Sequence, residues 1–179
     1  MLNKDIEKVF FSEEEIRNRC EDLGKQIDID YADQPPVLVG LLKGSVPFLA
    51  ELMKHISINI QIDFMDVTSY SGRRSVGDVK IIKDLDRSII DENVLIVEDI
   101  VDTGKTLSKV KEMLYSKGAK DVKIITLLNK EEGRLVEIKS DYVAFECPNE
   151  FVVGYGLDYN QDYRNLPYVG VLKEECYKE

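Results

Sequence analysis

Residues 93–107 read Asn93-Val-Leu-Ile-Val97-Glu98-Asp99-Ile-Val-Asp102-Thr103-Gly104-Lys105-Thr106-Leu107, and this stretch decides the fold. Val94 to Val97 is a short apolar run, preceded by Asp91-Glu92-Asn93 and followed by acids. Such a run suits a strand covered on both faces, as in a parallel sheet. Glu98 and Asp99 mark the point where the strand is expected to emerge, and beyond them Leu107, Val110 and Leu114 repeat at helical spacing. The stretch predicts strand, polar loop, helix. Its chemistry falls at the carboxyl end of a strand, where open α/β sheets take their ligands.

Each residue type in the loop has a physical use. The backbone N–H groups of Thr103-Gly104-Lys105-Thr106 lie at a helix N-terminus, where they lack intrahelical partners and favour an anion. Gly104 lets the chain turn closely around a phosphate, and the Thr103 and Thr106 hydroxyls can add hydrogen bonds. Glu98 and Asp99 would repel that phosphate, so they need another partner, either ribose hydroxyls or a divalent cation. Gly104-Lys105-Thr106 imitates the end of a Walker A loop, but the position five residues before Gly104 is Asp99 and not glycine. A capped helix after a buried strand would account for Gly-Lys-Thr alone. It does not account for two adjacent acids, a third acid at Asp102 and the Thr-Gly-Lys-Thr loop together.

Val94 to Thr106 closely resembles the phosphoribosyl pyrophosphate (PRPP) motif of type I phosphoribosyltransferases, and more narrowly the hypoxanthine-guanine enzymes of purine salvage. The resemblance implies that Glu98, Asp99, Asp102, Thr103, Gly104, Lys105 and Thr106 hold the ribose and its 5′-phosphate. It further implies Mg²⁺ as cofactor, with Glu98, Asp99 and Asp158 near the metal, and Asp102 as the catalytic proton acceptor at the purine N7.

Composition is compatible with this. The chain of 179 residues suits one domain, expected to span 1–179. A net charge of −10 argues against nucleic-acid binding through a general basic face, so an anionic substrate needs local amides, cations and metal. Cys20, Cys147 and Cys176 are odd in number and scattered, which fits a reducing cytoplasm rather than a disulfide framework or zinc site. Cys20 falls on the apolar face of a predicted helix and reads as core. His55, the one histidine, sits near a helix end and reads as structural. No signal peptide core and no run of membrane-spanning length appear, so no membrane partner is expected.

The remaining segments supply the surroundings. Ser12-Glu13-Glu14-Glu15 forms a capping box ahead of Ile16, Cys20, Leu23 and Ile27, predicting an amphipathic helix to about Ile29. Val37 to Leu42 reads as a buried strand ending in Lys43-Gly44-Ser45, with a helix from about Pro47 to His55. Ile56, Ile58, Ile60, Ile62 and Phe64 alternate with polar residues and predict a half-buried strand. Residues 68–78 are polar, hold two glycines and predict a mobile loop before a strand from Val79 to Leu85. Further strands are predicted at Val122 to Leu128, at Asp141 to Glu146 and after Tyr168, with a frayed Lys-Glu tail. Gly154-Tyr155-Gly156 begins like a dinucleotide fingerprint, but its third glycine position is Tyr159.

The resemblance runs from about residue 37 to 172 and assigns these segments. It implies an α/β fold with a central, mostly parallel twisted sheet flanked by helices, the type I phosphoribosyltransferase fold. A small hood lobe would come from the N-terminal segment and about 150–179. Lys43, Gly44 and Arg164 would grip pyrophosphate, and Ser69-Tyr70 would belong to a loop that closes over the site. Lys130 would donate to the purine 6-oxo group, Phe151 would stack on the base, Val152 would contact it through its backbone, and Asp158 would lie near its 2-position. The implied reaction joins PRPP to hypoxanthine or guanine, giving IMP or GMP and pyrophosphate, in a homodimer or homotetramer. Two alternatives stay open: a phosphoribosyltransferase for xanthine or a pyrimidine, and a PRPP-fold regulator that binds RNA, which the acidic charge disfavours.

Overall fold

The apolar runs become the middle of a sheet, and the helices between them cover its two faces. In the computed structural model, which describes residues 2–69, 79–147 and 150–178, the chain opens with β1 (Ile6–Phe11) and α1 (Glu13–Asp30). β2 (Val37–Leu41), α2 (Val46–Leu52), β3 (Gln61–Ser69) and β4 (Val79–Lys83) follow. Then come β5 (Asn93–Val101), α3 (Lys105–Ser116), β6 (Asp121–Asn129) and β7 (Tyr142–Glu146). β8 (Val152–Val153) and β9 (Val169–Leu172) close the chain.

The six-stranded sheet has the order β4-β3-β2-β5-β6-β7, parallel throughout except where β4 runs antiparallel to β3. Alternation along each strand sorts the core into two layers. Leu38, Leu95, Val97 and Ile125 face Ile16, Cys20, Leu23 and Ile27 of α1 and Phe48, Leu49 and Leu52 of α2. Val37, Val39, Val94, Ile96 and Ile124 face Leu107, Val110 and Leu114 of α3. Cys20 is plain core, and burial pushes its thiol pKa up to about 12. A second, three-stranded sheet, β1-β9-β8, joins the two ends of the chain and forms the expected small lobe. Among the described residues no helix is long and apolar enough to cross a membrane.

The capping box is real: Ser12 Oγ accepts from Glu15 N, and Ser12 N donates to Glu15 Oε2 at 2.8 Å. Four expectations need correction. The alternating segment from Ile56 is not strand until Gln61, because the Asp28 carboxylate accepts from Ser57 N and Ile58 N. Those backbone groups are satisfied by a side chain, while Ile56, Ile58 and Ile60 pack on the core from irregular chain with a bend at Ile58. The predicted helix to His55 is α-helical to Leu52 and ends in a tighter turn over Met53–His55. His55 Nε2 lies 3.0 Å from Glu51 Oε1, a structural contact. The tail, expected to be frayed, makes a short turn over Glu174–Cys176.

The fourth correction concerns β5, which does not stop at Val97. β2 pairs with it as far as Gly40 opposite Val97, whereas β6 stays paired through Val101 opposite Asn129. Glu98 and Asp99 are therefore still strand residues, but with the β2 neighbour gone. Chain order also reverses here, since β3 lies on one side of β2 and β6 beyond β5. A crevice opens at such a switch point, beyond the carboxyl ends of the strands.

Candidate active site

Three strand ends converge on this crevice. The first is the turn after β2, where the Leu42–Lys43 peptide bond is cis. A Cβ on Gly44 would lie 1.6 Å from Asp99 Oδ2, and a Cβ on Gly156 would lie 1.9 Å from the Gly44 carbonyl oxygen. Glycine at 44 and 156 thus lets the turn, the β5 carboxylate and the 154–164 segment approach as close as backbone allows. Asp99 Oδ1 also accepts from Ile100 N at 2.8 Å. Burial, with the adjacent Asp99 carboxylate, holds the Glu98 carboxyl well above the ordinary carboxylate range.

The second strand end is that of β5. Gly104 takes φ 76° at the N-cap of α3 and makes no side-chain cap, so the first-turn amides have no side-chain acceptor from that position. Glu98, Ile100, Asp102, Thr103, Gly104 and Thr106 line an open cleft of ≈ 200 Å³ with Leu41 and Leu42 of the β2 turn. Lys105 is exposed on the first turn of α3. A Cβ on Gly133 would lie 1.9 Å from Asp102 Oδ1, so the chain after β6 presses against that carboxylate.

The third is the end of β6. Lys130 N donates to Val101 O at 2.9 Å, and Lys130 Nζ reaches Glu150 O at 3.5 Å, next to Phe151. The Phe151 ring is 38% exposed and stacks on Tyr177 at 4.6 Å, with Tyr159 edge-on at 5.6 Å. Val152 is buried in β8, paired with Val171. Arg164 donates to Gly156 O at 2.7 Å and pairs with Asp158 at 2.8 Å.

The structure therefore brings Lys43, Gly44, Asp99, Gly156 and Arg164 together, and Glu98 with the 102–106 loop. Lys130 and Phe151 form the third group. Ser69 ends β3, while Tyr70 and the rest of the expected closing loop lie outside the described residues. Among the described residues no three His, Cys, Asp or Glu side chains cluster as a metal cage. Glu98 and Asp99 instead suit Mg²⁺, which takes one or two carboxylates and completes its shell with waters and substrate phosphates. Asp158 already spends its oxygens on Arg164 and on Gln161 N at 2.8 Å.

Sequence reading missed four participants. Gln161 Oε1 lies 3.5 Å from Lys43 Nζ and accepts from Arg164 at 3.2 Å, joining two cations that stand far apart in the chain. Gly156 was visible as half of a failed fingerprint. Gly133 and Arg134 gave no signal, because the contacts that tie them to the 101–102 backbone and carboxylate reach across more than thirty residues. The 154–163 segment also carries left-handed φ at Gly154, Tyr155, Gly156, Asn160, Gln161 and Tyr163. Such concentration of costly backbone is a mark of a functional loop.

Comparison with known proteins shows the family and the fold. A family model described as a phosphoribosyl transferase domain matches residues 12–160. The hypoxanthine-guanine phosphoribosyltransferase of Streptococcus mutans is 55% identical over 180 residues, covering 100% of both chains. That of Streptococcus agalactiae serotype V is 54% identical over the same span. A solved hypoxanthine phosphoribosyltransferase from Staphylococcus aureus superposes with a TM-score of 0.95 at 48% identity, covering 99% of this chain and 97% of that one.

Proposed function

The chain belongs to the phosphoribosyltransferase family, and from that premise we propose that it is a purine-salvage enzyme. It transfers the 5-phosphoribosyl group of PRPP to N9 of hypoxanthine or guanine and releases pyrophosphate. Full-length similarity to hypoxanthine-guanine enzymes supports the reaction class. The observation that carries the assignment to residues is the close fit of the turn after β2, the end of β5 and the 154–164 segment at Gly44, Asp99 and Gly156.

Displacement at an anomeric carbon makes three demands. The leaving pyrophosphate needs charge stabilisation, which Lys43, the Gly44 amide and Arg164 supply, with Gln161 fixing the spacing of the two cations. The sugar needs holding in line, with Glu98 and Asp99 at its hydroxyls and Thr103 to Thr106 around the 5′-phosphate. The base nitrogen needs its proton removed, and Asp102 accepts it at N7. Glu98 and Asp99 would hold Mg²⁺, which would supply positive charge to stabilise the leaving group. Asp158 acts on this side of the site through Arg164.

Base choice falls to Lys130, Phe151 and Val152. The Lys130 ammonium donates to a 6-oxo acceptor and meets only an amino group in adenine, which would leave a desolvated charge unpaired. Phe151 offers its ring face to the purine, and the chain at Val152 its edge.

The test is direct. Purified protein is given PRPP and Mg²⁺ with hypoxanthine, guanine, xanthine or adenine, and nucleotide formation is followed. Product from hypoxanthine or guanine, abolished by a chelator, is expected. Product from none of the bases would overturn the enzymatic reading and bring the RNA-binding alternative forward.

A further inference from the structure

Arg134 lies outside the cleft, yet it is bonded to the loop that lines it. Its Nε donates to Asp102 O at 2.9 Å, and one terminal nitrogen donates to Val101 O at 3.3 Å and to Asn129 Oδ1 at 2.7 Å. The other terminal nitrogen donates to Ile138 O. Lys130 N adds a second bond to Val101 O, and Leu135 N donates to Thr103 O at 3.0 Å. The carbonyls of three successive residues, Val101, Asp102 and Thr103, are thus all held toward the 130–138 segment.

That direction has a consequence. Among the described residues only the Leu42–Lys43 peptide is cis, so the peptides from 101 to 104 are trans. In a trans peptide the N–H points opposite to the C=O. Holding these three carbonyls toward the 130–138 segment therefore turns the N–H groups of Asp102, Thr103 and Gly104 the other way. The cleft lies on that other side, since Leu41 and Leu42 after β2 line it, β2 flanks β5 opposite β6, and none of residues 130–138 takes part. Successive amides aimed into one concavity make an anion-binding nest.

We infer that Arg134 is a positioning residue which orients the amides of the 5′-phosphate cradle through the Val101 and Asp102 carbonyls. The inference rests on the reading of this loop as the 5′-phosphate site and adds what holds it in its binding conformation. A planar guanidinium can serve these acceptors at once, whereas a lysine ammonium has three rotatable donors and no fixed fork. Close packing supports the same loop, because a Cβ on Gly104 would lie 2.5 Å from Ile138 Cγ2 and 3.1 Å from Arg134 Cδ.

The experiment compares two anions on the full-length protein. Ribose 5-phosphate probes the cradle, and magnesium pyrophosphate probes the Lys43–Arg164 side, each titrated calorimetrically. Arg134→Ala is expected to weaken ribose 5-phosphate at least about tenfold, as loss of oriented amides should, while pyrophosphate changes by less than about twofold. Arg134→Lys is expected to stay at least about fivefold weak for ribose 5-phosphate, because charge alone does not supply the fork. Should Arg134→Ala fail to fold, the same pair of titrations on Arg134→Lys decides. Unchanged ribose 5-phosphate affinity overturns the inference, and so does an equal loss for both anions, which would make Arg134 a general support of the fold. Wild-type protein that makes no nucleotide from PRPP and any base defeats the functional reading itself. An active wild type whose Arg134 variants keep ribose 5-phosphate affinity defeats only this inference.

Discussion

Gly44 and Asp99 are fitted to each other with no space for a methyl group: a Cβ at 44 would sit 1.6 Å from Asp99 Oδ2 and 2.5 Å from its Cγ. One residue belongs to the turn after β2 and the other to β5, and the switch point of the sheet sets them side by side. Gly44→Ala should therefore push Asp99 out of place rather than simply stiffen a turn. We expect kcat/KM for PRPP to fall at least about a hundredfold, the scale of losing one preorganised contact at the reacting centre. Melting temperature should change far less than activity. Kinetics of Gly44→Ala within a factor of about two of wild type would contradict the fitted contact.

Asp102 is the proposed proton acceptor, and a Cβ on Gly133 would lie 1.9 Å from its Oδ1. Asp102→Asn should lower kcat by roughly 10²–10⁴, the usual reach of general-base catalysis, while KM for PRPP is mostly kept. Gly133→Ala should lower kcat in the same direction by displacing the carboxylate without removing it. Near wild-type turnover in Asp102→Asn would take Asp102 out of the mechanism.

Lys130 links the end of β5 to the 150–151 segment, with its backbone N–H on Val101 and its ammonium near Glu150. Lys130→Ala should weaken hypoxanthine use by about 2–3 kcal/mol of transition-state binding, the scale of a charged hydrogen bond. Discrimination against adenine should relax at the same time. Competition between the two bases measures both, and an unchanged preference would reassign Lys130.

Glu98 predicts a pH effect on stability. Burial and Asp99 raise its carboxyl in the folded state, so the native protein holds a proton there that the unfolded chain has already released. Stability from this group is full below the unfolded carboxyl pKa and is lost as pH rises through the raised folded value. Glu98→Gln removes that loss. It should raise the melting temperature of the ligand-free protein at neutral pH, flatten its pH dependence and lower activity. A melting temperature that falls on this substitution would show that burial of Glu98 carries no penalty.

What the sequence by itself determined was local. A capping box, apolar runs bounded by polar loops and a Thr-Gly-Lys-Thr turn rest on contacts a few residues apart, so Ser12–Glu15, the buried middle of β5 and the start of α3 were legible directly. The resemblance added Lys43, Lys130, Phe151 and Arg164 as expected site residues, which composition and periodicity do not single out. Tertiary structure decided the rest. That β5 continues past its apolar run depends on β6 outlasting β2 as a neighbour. The chain at Ser57 and Ile58 stays out of the sheet because Asp28 of α1 takes those two amides. Gly44 against Asp99, Gly133 against Asp102, and Arg134 on the backs of Val101 and Asp102 are contacts between segments remote in the chain. No periodicity encodes such pairs, because the constraint lies in the space between two segments, and only folding brings that space into being.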